Sequence, residues 1–388
     1  MNIKIWPHLL QGEVPAIPSK SHGHRLLICA ALAGAMETVQ VDIPSQDILA
    51  TRECLDRLRD PDPVLDCRES GSTLRFLLPI VMTGSHRATF LRKGRLKDRP
   101  LSPLKEEMEA HGCTFREDPQ GKLFVTGPMR GGEFSLPGNV SSQFITGLLM
   151  ALPLLPSGGH VRLTTPLQSA PYVDLTLQVL EEFGISVEVD DRTYTVAGNQ
   201  SYISPGSRQA EGDWSNAAFF LTASSLGSSV TCTGLDQGSK QGDKAIVPLL
   251  SRMDREEYRQ IDASQIPDLV PILAVKAALT PGTTRITNAE RLRIKESDRL
   301  QVMAHNISTL GGDIRILPDG LLIQGGSLKG GEVDGAGDHR IVMSMAIAAT
   351  RCQGPVTILG AEAVDKSYPT FFDEFRRLGG VIDEVEPR

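Results

Sequence analysis

At 388 residues, 40% of them hydrophobic, the chain is long enough to bury two cores, and its 40 Lys and Arg against 47 Asp and Glu leave a net charge of -7. That balance excludes a general basic field for nucleic acid or an anionic membrane, so any cation that matters acts locally. The six cysteines lie far apart with no C-x-x-C spacing, and the apolar runs of about 8–14 residues fall short of the roughly 17–25 that span a bilayer, so a reduced, soluble, cytoplasmic protein is expected.

In chain order, a strand over residues 2–7 hands over to Ser19-Lys20-Ser21-His22-Gly23-His24-Arg25 and an apolar helix over 26–33. An amphipathic helix at 51–60 precedes Glu69-Ser70-Gly71-Ser72-Thr73-Leu74-Arg75 and a second apolar helix over 76–82. Lys97-Asp98-Arg99-Pro100 leads into an amphipathic helix at 101–111 and a strand pair, 113–116 with 123–126. Ser141-Ser142-Gln143 precedes an apolar helix at 144–155, an amphipathic one at 173–183 and strands at 186–189 and 194–197.

The pattern continues with Glu211-Gly212-Asp213 before 217–226, an amphipathic helix at 244–258, and Pro267-Asp268 before 269–279. The segment 291–299 packs four cations and two carboxylates ahead of an amphipathic helix at 298–310 and strands at 313–317 and 321–324. Asp338-His339-Arg340 opens 341–350, and Asp365-Lys366-Ser367-Tyr368-Pro369 precedes a last amphipathic helix at 370–378. Gly112, Gly184, Gly311 and Gly379 suit helix C-caps. The unit of apolar helix, amphipathic helix and two strands thus recurs six times at roughly 65-residue spacing.

Six such units predict an α/β fold of two three-unit domains, one over 19–211 and the other over 1–18 plus 212–388, with the buried helices aiming their N-termini at a shared cleft. A helix start presents unpaired N–H groups and a positive dipole end, which bind anions. Arg grips carboxylate and phosphate with two bonds, while Lys is a point charge that also moves a proton. Lys20, Arg25, Arg75, Arg99, Arg299, Arg340 and Lys366 at element starts therefore suit a ligand carrying phosphate and carboxylate together, with Asp268 and Glu296 as acid/base groups. No H-E-x-x-H, P-loop, G-x-S-x-G or dinucleotide turn appears, and His22 with His24 lacks a partnering ligand cluster. The residues read as a transferase or lyase for phosphorylated acids, with no metal and no cofactor.

On these pieces the chain resembles the 5-enolpyruvylshikimate-3-phosphate synthase family. The matching motifs are Ser19-Lys20-Ser21 with Arg25, Ser70-Gly71-Ser72 with Arg75, Asp98-Arg99-Pro100, Ser141-Ser142-Gln143-Phe144, Pro171-Tyr172-Val173-Asp174, Glu211-Gly212-Asp213, Ile266-Pro267-Asp268, Lys295-Glu296-Ser297-Asp298-Arg299, Asp338-His339-Arg340 and Lys366, in family order from residue 19 to about residue 370. The resemblance implies transfer of the enolpyruvyl group of phosphoenolpyruvate to the 5-hydroxyl of shikimate 3-phosphate with release of phosphate. It also implies the two-domain inverted α/β barrel of enolpyruvyl transferases, with shikimate 3-phosphate on the 19–211 side.

By the same resemblance Lys20, Arg99, Arg299, Arg340 and Lys366 surround phosphoenolpyruvate, with Arg75 nearby, glyphosate occupies that site beside the turn that holds Gly71, and His339 is a further substrate-binding residue. Ser21, Arg25, Ser141, Ser142, Gln143, Ser169, Tyr172 and Lys295 hold the substrates, mainly shikimate 3-phosphate. Asp268 takes the hydroxyl proton, Glu296 and Lys20 serve the methylene carbon, and Lys366 the departing phosphate. The chain departs from the usual pattern at Glu69 and Arg291, where Asn is common, and at His22-Gly23-His24. The sister transferase acting on UDP-N-acetylglucosamine carries a reactive Cys before its Arg-Pro pair, where this chain has Gly94-Arg95-Leu96-Lys97-Asp98, and Asn where Ser21 stands. A non-catalytic phosphometabolite binder would need neither Asp268 nor Glu296. With no heptad or long exposed edge, a monomer is expected.

Overall fold

Helices buried on every side alternate along the chain with helices buried on one face. The structure, a computed structural model, describes residues 1–84 and 87–385. It divides into an inserted unit, Lys20–Ala210, and a discontinuous unit made of Met1–Ser19 and the chain from Glu211 onward. Ser19 and Glu211 were expected inside the inserted unit. They instead belong to the discontinuous one, where Ser19 N–H donates to the Glu211 carbonyl at 2.7 Å beside the bridge between Pro18 and Gly212.

The inserted unit contains α1 (Lys20–Leu32), α2 (Gln46–Asp56), α3 (Gly71–Val81), α4 (Leu104–Ala110), α5 (Ser142–Ala151) and α6 (Ala170–Glu182). Around α3 and α4 the chain fits a short pattern: strand Val64–Asp66, α3, strand Arg87–Leu91, α4, then the hairpin Thr114–Glu117/Leu123–Thr126. The first two strands are parallel and the hairpin adds antiparallel to the second. The segment from Gly132 to Val196 repeats this order with α5 and α6, giving a second four-stranded sheet of the same connectivity.

The discontinuous unit contains α7 (Trp214–Ser225), α8 (Ile246–Met253), α9 (Val270–Leu279), α10 (Arg299–Thr309), α11 (His339–Ala349) and α12 (Phe371–Arg377). Strands Tyr258–Asp262, Gly282–Thr287, Asp313–Leu317 and Gly320–Gly325 form its first sheet around α9 and α10. In its second sheet, around α11 and α12, Gly331–Asp334 and Val356–Leu359 pair in parallel, and Asn2–Trp6 inserts between Val356–Leu359 and Val381–Val385. Ile3 and Ile5 of that strand point inward and Lys4 does not, the two-residue alternation of a half-buried strand.

The two-helix, two-strand repeat therefore carries two further parallel strands ahead of its hairpin. In the repeats of α1–α2 and α7–α8 only a parallel pair forms, Arg208–Gln209 with Val39–Gln40 and Ser229–Thr233 with Gln11–Pro15. The amphipathic helix expected over 244–258 stops at Met253, because Tyr258–Asp262 is needed as a strand.

Each unit has its own apolar core built on the odd-numbered helices. Leu26, Leu27, Ile28 and Cys29 of α1, and Ile341, Val342 and Met343 of α11, are consecutive residues without exposed surface, which an element in contact with solvent does not allow. The approach of α3 and α5 is close enough that a Cβ on Gly147 would lie 2.3 Å from the Arg75 carbonyl, so only glycine fits there. Among the described residues no helix is long and apolar enough to cross a membrane.

Candidate active site

Helices α1, α3, α5, α7 and α11 begin earlier than their apolar runs, and in α1, α3, α5 and α11 this moves part of the polar cluster from the preceding turn onto the helix. Helix α1 starts at Lys20, so Ser21, His22, His24 and Arg25 are helical and largely buried. Lys20 Nζ donates to Asp47 Oδ2 of α2 at 2.9 Å. Arg25 is committed to the protein: Nε donates to Thr176 Oγ1 at 2.8 Å, and the two terminal nitrogens donate to the Ser21 carbonyl at 2.6 Å and the Tyr172 carbonyl at 2.8 Å. Its guanidinium also stands over the Phe76 ring. Arg25 thus ties α1 to α6, using Ser21 and Tyr172 through their backbones.

At the start of α3, Ser70 is the N-cap and Gly71 the first helical residue. A Cβ on Gly71 would lie 2.7 Å from a terminal nitrogen of Arg99 and 2.8 Å from one of Arg75, so both guanidinium groups converge on this turn. Arg75 donates to Gln143 Oε1 at 2.8 Å and to the Pro100 carbonyl at 3.0 Å, and Gln143 donates to Ser72 Oγ at 3.0 Å. Ser141 caps α5 by accepting from Gln143 N–H, with Ser142 as the first residue of the helix. Ser169, just before α6, is buried and left-handed at φ 57°, a conformation costly for a non-glycine residue and concentrated at functional positions. Glu69 is exposed and rests against Gly94 in the turn Gly94–Lys97.

In the discontinuous unit Arg299, 1% exposed, is a hub for three carboxylates. Nε donates to Asp338 Oδ2 at 2.8 Å, NH1 to Asp268 Oδ1 at 2.8 Å, and NH2 to Glu296 Oε2 at 2.9 Å and Asp338 Oδ1 at 3.2 Å. Arg340 approaches Asp268 from another side, at 3.5 Å from Oδ2 and with a hydrogen bond of 3.3 Å to its carbonyl. Asp338 caps α11 by accepting from Arg340 N–H, and His339 is buried beside it with Nδ1 3.8 Å from Oδ1. Arg291 is buried and donates to the Ser264 carbonyl at 2.6 Å. Within 291–299, Arg291 and Arg299 are thus buried and bonded, while Arg293 and Asp298 remain partly exposed. Lys366 ends a short 3-10 turn, and the next residue, Ser367, donates to Asn216 of α7 at 3.4 Å.

These contacts set the charge states. Burial by itself would raise the Asp268 carboxyl, but Arg340, Lys295 and Arg299 overcome it and hold Asp268 well below the usual carboxylate range. Burial lowers Lys295 to about 8, with Arg291 and Arg299 adding to it and Asp268 and Glu296 opposing. The cluster thus offers an ionised carboxylate at Asp268, a second carboxyl group at Glu296, and a lysine that titrates just above neutrality.

Two carboxylates escaped the sequence reading. Asp47 looked like an ordinary first-turn acid behind the N-cap Ser45, and nothing local marks it as the partner of Lys20. Asp243, in Gln241-Gly242-Asp243, is buried and bonded to Ser215 Oγ. Burial, then the neighbouring Asp268, pushes it up to about 6 against the pull of Arg340. The signal available was Gly-Asp placed just ahead of an amphipathic helix.

The sequence profile of EPSP synthase (3-phosphoshikimate 1-carboxyvinyltransferase) matches residues 59–375. A Clostridium perfringens protein named 3-phosphoshikimate 1-carboxyvinyltransferase is 42% identical, the alignment covering 97% of this chain and 98% of that protein. A Clostridium novyi protein of the same name is 43% identical, with coverage of 99% and 98%. In fold the chain is similar to EPSP synthase from Acinetobacter baumannii, at TM-score 0.78 and 24% identity, covering 99% of this chain and all of the other. It is also similar to the enolpyruvyl transferase NikO from Streptomyces tendae, at TM-score 0.76 and 17% identity, covering 100% and 99%.

Proposed function

Because the chain belongs to the EPSP synthase family, we propose that it transfers the enolpyruvyl group of phosphoenolpyruvate to the 5-hydroxyl of shikimate 3-phosphate, giving 5-enolpyruvylshikimate 3-phosphate and phosphate on the route to aromatic amino acids. The observation that carries the reading is the Arg299 hub: Asp268 and Glu296 are two ionisable groups on one immobile guanidinium, and Arg340 and Lys295 supply further positive charge.

The chemistry follows from the charges. Asp268, kept ionised, accepts a hydrogen bond from the 5-hydroxyl and orients its oxygen toward C2 of the enol phosphate. As the C–O bond forms, the hydroxyl proton passes to Asp268 and the methylene carbon takes a proton from Glu296 or Lys20. Return of a proton from that carbon to the same group then restores the double bond as the C–OP bond breaks, with Lys366 neutralising the phosphate that leaves. Arg99, Arg299 and Arg340 match the carboxylate and phosphate of phosphoenolpyruvate, with Arg75, Gly71 and His339 shaping that end. Ser141, Ser142, Gln143, Ser169, Tyr172, Ser21 and Lys295 hold shikimate 3-phosphate. Arg25 joins this set, its Nε and terminal nitrogens also tying α1 to α6. The six free thiols, five of them buried, suit a reducing cytoplasm, and we read the enzyme as a monomer.

Incubation with both substrates tests the reading. Phosphate release that requires both, with a product heavier than shikimate 3-phosphate by the enolpyruvyl group, is expected. Release with UDP-N-acetylglucosamine in place of shikimate 3-phosphate, or no release at all, overturns it.

A further inference from the structure

The inserted unit contains a polar chain that the roles above leave unused. Lys20 and His24 lie four residues apart on α1, and Asp47 and Thr51 four apart on α2, so the two helices face each other in two rungs. One rung is the Lys20–Asp47 ion pair at 2.9 Å. The other is His24 Nδ1 to Thr51 Oγ1 at 2.8 Å. From Thr51 the chain continues into α3: Oγ1 lies 2.7 Å from Thr73 Oγ1, which is 2.7 Å from Oγ of the N-cap Ser70. His24, Thr51, Thr73 and Ser70 are all 0% exposed.

A hydroxyl has one proton, and that sets a direction. Ser70 Oγ accepts from both N–H and O–H of Thr73. Thr73 must then accept from Thr51, and Thr51 from His24. The imidazole is thereby fixed as the neutral tautomer with its proton on Nδ1. Its Nε2 is buried without a hydrogen-bond partner among the described residues, with the ring edge-to-face against Phe76, which suits a bare lone pair and not an N–H. Burial drives the His24 pKa to about 3, Lys20 and Arg25 add to that, and Asp47 opposes it. A neutral ring leaves Asp47 to Lys20 alone.

We propose that His24, Thr51 and Thr73 are positioning residues for phosphoenolpyruvate, a one-way hydrogen-bond relay that orients Ser70 Oγ and with it the turn on which Gly71 lies against Arg75 and Arg99. The proposal rests on the functional reading above, which puts phosphoenolpyruvate at that turn. A relay of this kind acts on one substrate, whereas a general packing role would disturb both.

The test uses the full chain and three variants: Thr51→Val, which keeps the shape and removes the relay; Thr51→Ser, which keeps the hydroxyl; and His24→Asn, which keeps an N–H donor near the place of Nδ1. Thr51→Val should raise KM for phosphoenolpyruvate by about three- to tenfold, the loss expected for one buried hydrogen bond, while KM for shikimate 3-phosphate stays within about twofold. Thr51→Ser and His24→Asn should lie near the parent. Nitrogen-15 spectra of the parent should show His24 protonated on Nδ1, bare on Nε2 and not titrating between about pH 5 and 8. A parent-like KM in Thr51→Val, equal rises for both substrates, or a titrating His24 overturns the relay. A parent protein that releases no phosphate overturns the functional reading and removes the relay with it, so the two failures are distinguishable.

Discussion

Arg299 and Asp338 form a two-bond ion pair, at 2.8 and 3.2 Å, in which neither side chain exposes more than 1% of its surface. Two charges withdrawn from water this completely are held by their mutual geometry, and removing one weakens the compensation of the other. Asp338→Ala should therefore destabilise the protein by about 3 kcal/mol, since Arg299 keeps two other carboxylates but α11 also loses its cap. Asp268→Ala should cost less stability and more activity. Denaturant midpoints of the two variants check the order; a smaller loss for Asp338→Ala would mean that Asp268 is the structural anchor.

Lys20→Met should reduce turnover by about 10²–10⁴-fold, the range for loss of a group that moves a proton. The ion pair at 2.9 Å holds Nζ beside Asp47 and sets where that charge sits. A drop below about tenfold in steady-state kcat would take Lys20 out of the chemistry.

At Gly71 a methyl group would meet the terminal nitrogens of Arg99 and Arg75 at 2.7 and 2.8 Å, so both cations must move for Gly71→Ala to fit. Overpacking of about 1–3 kcal/mol corresponds to roughly 5- to 150-fold weaker inhibition by glyphosate, with a smaller rise in KM for phosphoenolpyruvate. Equal inhibition constants in the parent and the variant would show that Gly71 does not line the inhibitor site.

Asp243 gives a pH signature. Its folded pKa, pushed up to about 6, exceeds the ordinary value of 3.8, so the native state holds the proton more tightly than the unfolded chain does. The stability this confers is complete below pH 3.8 and lost as pH rises through about 6. Asp243→Asn cannot ionise and keeps an acceptor for Ser215. It should gain stability relative to the parent between about pH 4 and 6, hold that gain at pH 8, and show little at pH 3.5. Denaturant unfolding of both proteins across that range decides it, and a gap independent of pH would rule out the carboxylate as its source.

The six buried helices were legible because runs such as 26–33 and 341–350 have no polar face to misread. Their starts were not, since hydropathy cannot distinguish a buried, satisfied Arg25 from a solvated one; only Thr176 and Tyr172, far along the chain, settle it. Glu296 and Arg299 stood out by the density of charge over 291–299, and Asp268 through the Ile266-Pro267-Asp268 match to the family pattern. Asp47 and Asp243 did not, because a lone acid near a helix start is also what capping requires. The leading strands of the repeats, Val64–Asp66 among them, are as short as three residues and exist through pairing with the strand beyond the next helix, a non-local term that no window contains.

The strand Asn2–Trp6 has a consequence for how the molecule is made. Its neighbours in the sheet are Val356–Leu359 and Val381–Val385, so it leaves the ribosome well ahead of both and waits for the chain between them to be made. At about 5–20 residues per second the delay is roughly 20 to 75 s. The inserted unit has no such dependence: all its sheet partners lie between Lys20 and Ala210, and it can close while translation continues. The nascent protein therefore carries a finished inserted unit alongside an unpaired strand with one apolar face, and the unpaired backbone of that strand is where chaperones, or aggregation, will act first.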